Sequence, residues 1–154
     1  MGTLFGFAEN GQAFAYLGLA LCAALCGVGS SIGLFKTGSA ASGVLAEDPK
    51  KFSKVLILVV LPATQGIYGF VFAIIGSSNA ANVTTALEGA RVFAASLPLM
   101  ITGLVTGIYQ GKTAVGGIHA IAKNESISGK LILFPAMVET YAILGLVVSI
   151  LLLA

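Results

Sequence analysis

Long apolar stretches alternate with short polar ones along this chain. The first apolar stretch covers residues 12–34, and a tract of small residues, GLFKTGSAASGVLA, carries it on to Ala46. The second covers residues 52–76 and contains an unusual polar insert, LPATQGIYG. The third covers residues 92–110 and continues as GKTAVGGIHAIAK, and the fourth covers residues 127–154. A helix rises 1.5 Å per residue, so roughly 20 apolar residues cross a hydrocarbon core, and each stretch reaches that length. The pattern therefore predicts four transmembrane helices. The connections between them are AEDPKKFSK, where Pro49 breaks the helix, SSNAANVTTALEGAR, and a loop around Asn124, Glu125 and Ser126.

Composition agrees with this pattern. Hydrophobic residues make up 57% of the chain and charged residues 9%, whereas a soluble domain carries about 25% charged residues. With a mean hydropathy of +1.01 there is too little polar surface to cover a globule in water. The chain is expected to be an all-α membrane protein, one membrane domain over residues 1–154. No cleavable leader is expected, since the first eleven residues hold no Lys or Arg and the following apolar run is long enough to span.

The net charge of +2 says less than where the charges fall. Lys36, Lys50, Lys51, Lys54, Lys112, Lys123 and Lys130 lie in or beside the first and third connections, and Arg91 alone lies on the other side. By the positive-inside rule the loops at 35–54 and 112–130 are cytoplasmic, and both termini and the central loop face outward. The expected location is the cell membrane, as a multi-pass protein. Cys22 and Cys26 stand four apart, a spacing that fits neither a redox pair nor a zinc pair, and they read as small packing residues. Asn82-Val83-Thr84 matches a glycosylation acceptor, a triplet common by chance.

The two halves look like copies of one hairpin, residues 12–76 and 88–154. Gly29-x-x-x-Gly33 matches Gly107-x-x-x-Gly111 at an offset of 78, and Pro62 with Tyr68 matches Pro135 with Tyr141 at an offset of 73. Small-xxx-small pairs of this kind let helix backbones approach closely in lipid. Each half has an even number of spans, so the repeats are tandem and parallel, which argues against an inverted-repeat transporter. In this register Glu139 falls opposite Gly66.

Glu139 is the one carboxylate inside an apolar span, in the stretch LFPAMVETYAILG. An ionisable group at the centre of a bilayer costs at least ~2.5–3.5 kcal/mol, which marks it as a functional site. Leu61, Thr64, Gln65 and Tyr68 follow the i, i+3, i+4, i+7 spacing of one helix face on the second span. On the third span Thr102, Thr106 and Gln110 repeat every four residues. Thr102 and Thr106 read as hydroxyls that hydrogen-bond helices together. Glu139, Gln65 and Gln110 read differently, because a carboxylate is a costly way to join helices. Three helices can thus converge a carboxylate, two amide carbonyls, a hydroxyl and a free backbone carbonyl as an oxygen cage for a hard cation. Pro62 and Pro135 free carbonyls near Leu58 and Leu131, either as simple kinks or as ligands.

The double hairpin, LPATQGIYGF at 61–70, GIYQGK at 107–112 and MVETYAILG at 137–145 together make the chain resemble the proteolipid (K or c) subunit of V-type rotary ATPases along essentially its whole length. The resemblance implies a protomer of a homo-oligomeric ring of four-helix subunits, with the carboxylate facing outward at mid-membrane. It implies Na⁺ held by Glu139, Gln65, Thr64, Gln110 and the carbonyl of Leu61, with Tyr68 hydrogen-bonded to the carboxylate. It also implies a stator membrane subunit that supplies an Arg, a central-stalk subunit, surrounding lipid, and a non-catalytic role with ATP hydrolysed on partner subunits. Oxygen count bears on the ion: a proton needs the carboxylate and one acceptor, whereas Na⁺ must have its water replaced, and Gln65, Thr64 and Gln110 supply that surplus. Sodium is therefore expected, with H⁺ as the alternative cargo.

Other readings compete. Gly111-Lys112-Thr113 suggests a phosphate loop, but position 106, where that motif needs a Gly, is Thr. Neither nucleotide nor nucleic acid is expected as a partner, and no organic cofactor. His119 has no Cys or second His near it in sequence and reads as a solvated or capping residue. A small multidrug-type transporter also uses one membrane Glu, but would surround it with aromatic residues, and this chain has no Trp. A purely structural proteolipid would tolerate Glu139→Gln.

Overall fold

The computed structural model describes residues 11–154. Residues 1–10, on which the expectation about a leader in part rests, lie outside them. The described residues form α1 (Gly11–Glu47), α2 (Phe52–Val60), α3 (Thr64–Ala81), α4 (Ala86–Lys123), α5 (Ser128–Leu131) and α6 (Leu133–Leu153), with 3₁₀ turns at Pro49–Lys51, Leu61–Ala63 and Glu125–Ile127. They make four apolar rods long enough to cross a membrane. The chain runs up, down, up and down. At one end Gln12 donates to the carbonyl of Ala81 and Asn79 to that of Leu153. At the other, Lys51 Nζ donates to the carbonyl of Ala122 at 2.8 Å.

The polar connections are shorter than the sequence pattern suggests. Only Asp48 separates α1 from the turn at Pro49–Lys51, and its side chain caps that turn by accepting from Lys50 N–H at 3.1 Å. The central connection shrinks from 77–91 to the residues between Ala81 and Ala86. Ser77 and Ser78 remain helical with their hydroxyls bonded back to the carbonyls of Ile74 and Ile75, so a polar side chain here does not end the helix. On the far side Thr85 and Glu88 form a reciprocal capping box that starts α4 early. Pro62 and Pro135 coincide with breaks. Pro62 lies in the 3₁₀ turn that divides α2 from α3, and Pro135 sits in the first turn of α6, just after an interruption at Ile132.

The paired glycines set the distance between α1 and α4. A Cβ on Gly107 would stand 2.6 Å from the carbonyl carbon of Gly29, and one on Gly29 would stand 2.5 Å from the carbonyl oxygen of Leu104. Gly11 meets Gly89 and Gly33 meets Gly111 in the same way, so contacting glycines keep the 78-residue register along both helices. Any side chain at these positions would push the backbones apart. Cys22 and Cys26 are free and fully buried in the same seam, where Cys26 fills the space beside Gly103, as packing residues do. Phe72 and Leu99 form one buried cluster with them, and Leu58, Ile118 and Ile121 form a second toward the lysine-rich end. Phe70, Tyr141 and Leu151 point outward, with more than half of each surface uncovered, as lipid-facing side chains do.

Candidate functional site

The prolines and the polar residues named from sequence meet where α3, α4 and α6 converge. Pro62 has no N–H to donate, so the chain around it tightens into the Leu61–Ala63 turn, and the next helix starts at Thr64. Thr64 Oγ1 donates to the carbonyl of Leu61 at 3.0 Å, which holds both oxygens at the head of α3. One residue on, Gln65 is completely buried and reaches across to α4. Its Nε2 donates to Gln110 Oε1 at 2.7 Å. Gln110, also completely buried, turns its own Nε2 toward α6, 3.2 Å from both the carbonyl of Pro135 and Glu139 Oε2. Tyr68 completes the circuit from the next turn of α3, its hydroxyl donating to Glu139 Oε1 at 2.6 Å.

Every donor in this circuit points toward the carboxylate, directly or through an amide. Tyr68 and Gln110 satisfy one carboxylate oxygen each, and Gln65 satisfies Gln110. The chain of amides then ends on Gln65 Oε1, a buried oxygen with no hydrogen-bond partner. Leaving a buried acceptor unpaired costs about 1–3 kcal/mol. The Glu139 carboxylate, the Thr64 hydroxyl and the Leu61 carbonyl are the other oxygens that these hydrogen bonds group with the two amides. The donor set is hard oxygen throughout, and all but Glu139 are neutral. No cluster of three His, Cys, Asp or Glu side chains that could hold a metal ion occurs among the described residues.

The structure brings Leu61, Thr64, Gln65, Tyr68, Gln110 and Glu139 together. It leaves Thr102 and Thr106 out, and also corrects their role as bridges between helices. Their hydroxyls bond back within α4, to the carbonyls of Pro98 at 2.8 Å and Thr102 at 2.7 Å. Thr102 nonetheless lies at a close approach, because a Cβ on Gly145 would run into its hydroxyl. Tyr141, the sequence counterpart of Tyr68, is 65% exposed and takes no part. His119 is exposed on α4. Sequence reasoning missed Pro98 inside α4 and its support, Ser149 Oγ, which accepts from Leu99 N–H at 3.0 Å. It also missed Ser30, whose hydroxyl accepts from Gly66 N–H at 2.7 Å.

Beside Glu139 the outer surface between α4 and α6 carries an apolar groove of about 680 Å³, lined by Ile101, Val105, Tyr109, Met137 and Tyr141 among others. Glu139 itself is half-buried.

Comparison with known proteins gives a consistent picture. The family model that describes the ATP synthase C subunit matches the chain twice, over residues 17–76 and 93–152. The chain is 46% identical to the K subunit of the V-type sodium ATPase of Enterococcus hirae, over 94% of this chain and 92% of that protein. It is 41% identical to the K subunit of the A-type ATP synthase of Methanocaldococcus jannaschii, over 89% of this chain and 60% of the relative. With a V-type proton ATPase subunit of Saccharomyces cerevisiae it shares 29% identity over 90% of this chain and 68% of that one.

Proposed function

This chain belongs to the ATP synthase C-subunit family, and on that footing we propose that it is the ion-carrying rotor-ring subunit of a V-type ATPase that moves Na⁺ across the membrane. The observation that carries the choice of ion is Gln65 Oε1, a fully buried oxygen that the protein leaves unpaired one amide away from Glu139. A proton on the carboxylate fills one hydrogen bond. A sodium ion takes several oxygens at once and would use this one, together with Glu139, Thr64, Gln110 and the carbonyl of Leu61. The relative from E. hirae, named as part of a sodium ATPase, points the same way. When sodium is scarce, the same carboxylate takes a proton instead.

The mechanism follows from charge. With Na⁺ bound, Glu139 is compensated and the site can turn through lipid, whereas the bare carboxylate is too costly to expose there. Tyr68 and Gln110 hold the carboxylate from two sides, so the loaded site is closed by hydrogen bonds that must open for exchange. Exchange takes place at a stator membrane subunit, where an Arg from that subunit meets the empty Glu139 and separates two half-channels. Arg91 of this chain stands at the far end of α4, exposed near the central connection, and serves the membrane interface. Moving one charge against 100 mV takes about 2.3 kcal/mol, supplied as torque from ATP hydrolysis on partner subunits through a central stalk. Identical protomers close the ring. The groove beside Glu139 provides apolar surface for a neighbour, and lipid covers the remaining outer face. Lysines at the turn by Asp48 and at the α4–α5 end set the orientation, with those loops cytoplasmic and both termini outside.

Carbodiimide labelling tests the proposal in the assembled complex near neutral pH. Millimolar Na⁺ is expected to slow modification of Glu139, and an unchanged rate overturns the assignment to sodium.

A further inference from the structure

The site depends on a helix that gives it no ligand. Pro62 cannot donate a hydrogen bond, so the carbonyl of Val59, three residues before it, loses its 3₁₀ partner. Thr37 Oγ1 on α1 supplies one at 2.9 Å, its shortest contact, while the carbonyls of Leu34 and Gly33 on its own helix stand at 3.1 and 3.2 Å. Beyond the break, Gly66 N–H donates to Ser30 Oγ at 2.7 Å. Between these two contacts the Pro62 ring lies on Gly33, where an added Cβ would come within 2.6 Å of Pro62 Cβ. Ser30, Gly33 and Thr37 are spaced i, i+3 and i+7, one face of α1, and Ser30 and Thr37 are 5% and 0% exposed. The whole ligand-bearing segment, Leu61 to Gln65, is therefore held between two buried hydroxyls.

The duplicated hairpin sharpens the point. At the 78-residue offset, Ile108 and Val115 stand where the first half has Ser30 and Thr37. At the 73-residue offset, Gly66 stands where the second half has Glu139. The first half has a bare glycine in place of the acid, and its amide is what Ser30 holds. A Cβ at position 66 would stand 3.2 Å from Ser30 Oγ and crowd that bond. At these two matched positions the hydroxyls thus occur only in the first half, whose contribution to the site, the Leu61 carbonyl, Thr64 and Gln65, carries no charge of its own to draw it to a cation.

We propose that Ser30 and Thr37 are positioning residues for the ion site, fixing the break at Pro62 so that the Leu61 carbonyl, Thr64 and Gln65 face Glu139, and so setting the affinity for Na⁺. This rests on the reading of the site as a sodium site. Partners that orient metal ligands from behind typically account for a 10–100-fold range in affinity.

The test uses complexes whose rings mix unsubstituted protomers with a minority of Thr37→Val or Ser30→Ala protomers, so that ring assembly does not depend on the variant. Carbodiimide modification of Glu139 is read by mass on each kind of protomer across a Na⁺ titration. On the variant protomers the Na⁺ concentration for half-protection should rise about tenfold, while the labelling rate without Na⁺ stays within about twofold of the unsubstituted protomers. Thr37→Ser and Ser30→Thr, which keep the hydroxyl, should bring half-protection back to within about threefold. Equal half-protection on both kinds of protomer overturns the proposal. So does a matching change in the sodium-free rate, which would indicate general loosening, and so does exclusion of the variants from mixed rings. If Na⁺ does not protect the unsubstituted protomers, the sodium reading itself has failed, and the proposal fails with it.

Discussion

Replacing Gln65 by Leu separates ion binding from packing, because the two side chains are close in size and the site is completely buried. In the empty site the substitution removes Gln65 Oε1, the unpaired acceptor, and so relieves about 1–3 kcal/mol. It also removes the Nε2 donor that Gln110 Oε1 accepts from at 2.7 Å, which leaves a second acceptor unpaired at a similar cost of about 1–3 kcal/mol. These two changes oppose each other, so the empty ring should assemble and melt close to normal. The loaded site has no such cancellation. It loses one oxygen facing a cation, and an interaction of a polar group with a charge is worth about 1.5–3 kcal/mol, equivalent to a 10–150-fold weaker affinity. The assay is the Na⁺ titration of carbodiimide labelling at Glu139 in the purified complex, with thermal dissociation of the ring measured alongside. A shift in half-protection below about threefold with a normal ring would show that Gln65 does not touch the ion. A ring that falls apart would show that its amide is structural.

Further outcomes follow from the same geometry. Tyr68→Phe removes the 2.6 Å hydrogen bond to Glu139 Oε1, so Glu139 should label about tenfold faster at low Na⁺ in a ring that still assembles; an unchanged rate would remove Tyr68 from the closed site. Gly107→Ala places a Cβ 2.6 Å from Gly29 and should destabilise the protomer by about 1–3 kcal/mol, seen as a lower dissociation temperature, whereas the same change at Gly116, which has open space, should leave it unaltered. Thr85→Ala breaks the capping box and should cost about 1 kcal/mol at the start of α4, measured as about fivefold faster amide exchange at Glu88 and Gly89; equal exchange would mean the cap contributes nothing. Glu139→Gln should abolish ion-coupled ATP turnover, and retained coupling would favour a purely structural role.

What the sequence made legible was what lipid makes expensive. A carboxylate and two amides among apolar residues stand out because they cannot be there without partners, and Glu139, Gln65 and Gln110 do meet. Spacing by three and four also placed Leu61, Thr64 and Tyr68 on their side of the site. Hydroxyls were harder to read, since Ser and Thr can satisfy themselves on their own helix. Thr102 and Thr106 do so, Ser30 reaches another segment and Thr37 does both, and a string of Gly, Ser and Thr looks the same in every case. The same ambiguity hid the true ends of α3 and α4: Ser77 and Ser78 suggest a loop but back-bond within the helix. Pro98 escaped notice because its disturbance is absorbed by Ser149, fifty residues away in sequence. Such pairings are set by which helices become neighbours, and period alone does not specify that.

The central claim is that Gln65, Gln110 and Glu139 enclose a cation. Density for the assembled ring prepared in Na⁺ tests it most directly. A single ion is expected between Glu139 and Gln65 Oε1, with Thr64 Oγ1, the Leu61 carbonyl and Gln110 completing its shell and Tyr68 still on the carboxylate. A water molecule at that position, or Gln65 Oε1 turned away from Glu139 in the presence of saturating Na⁺, would contradict it.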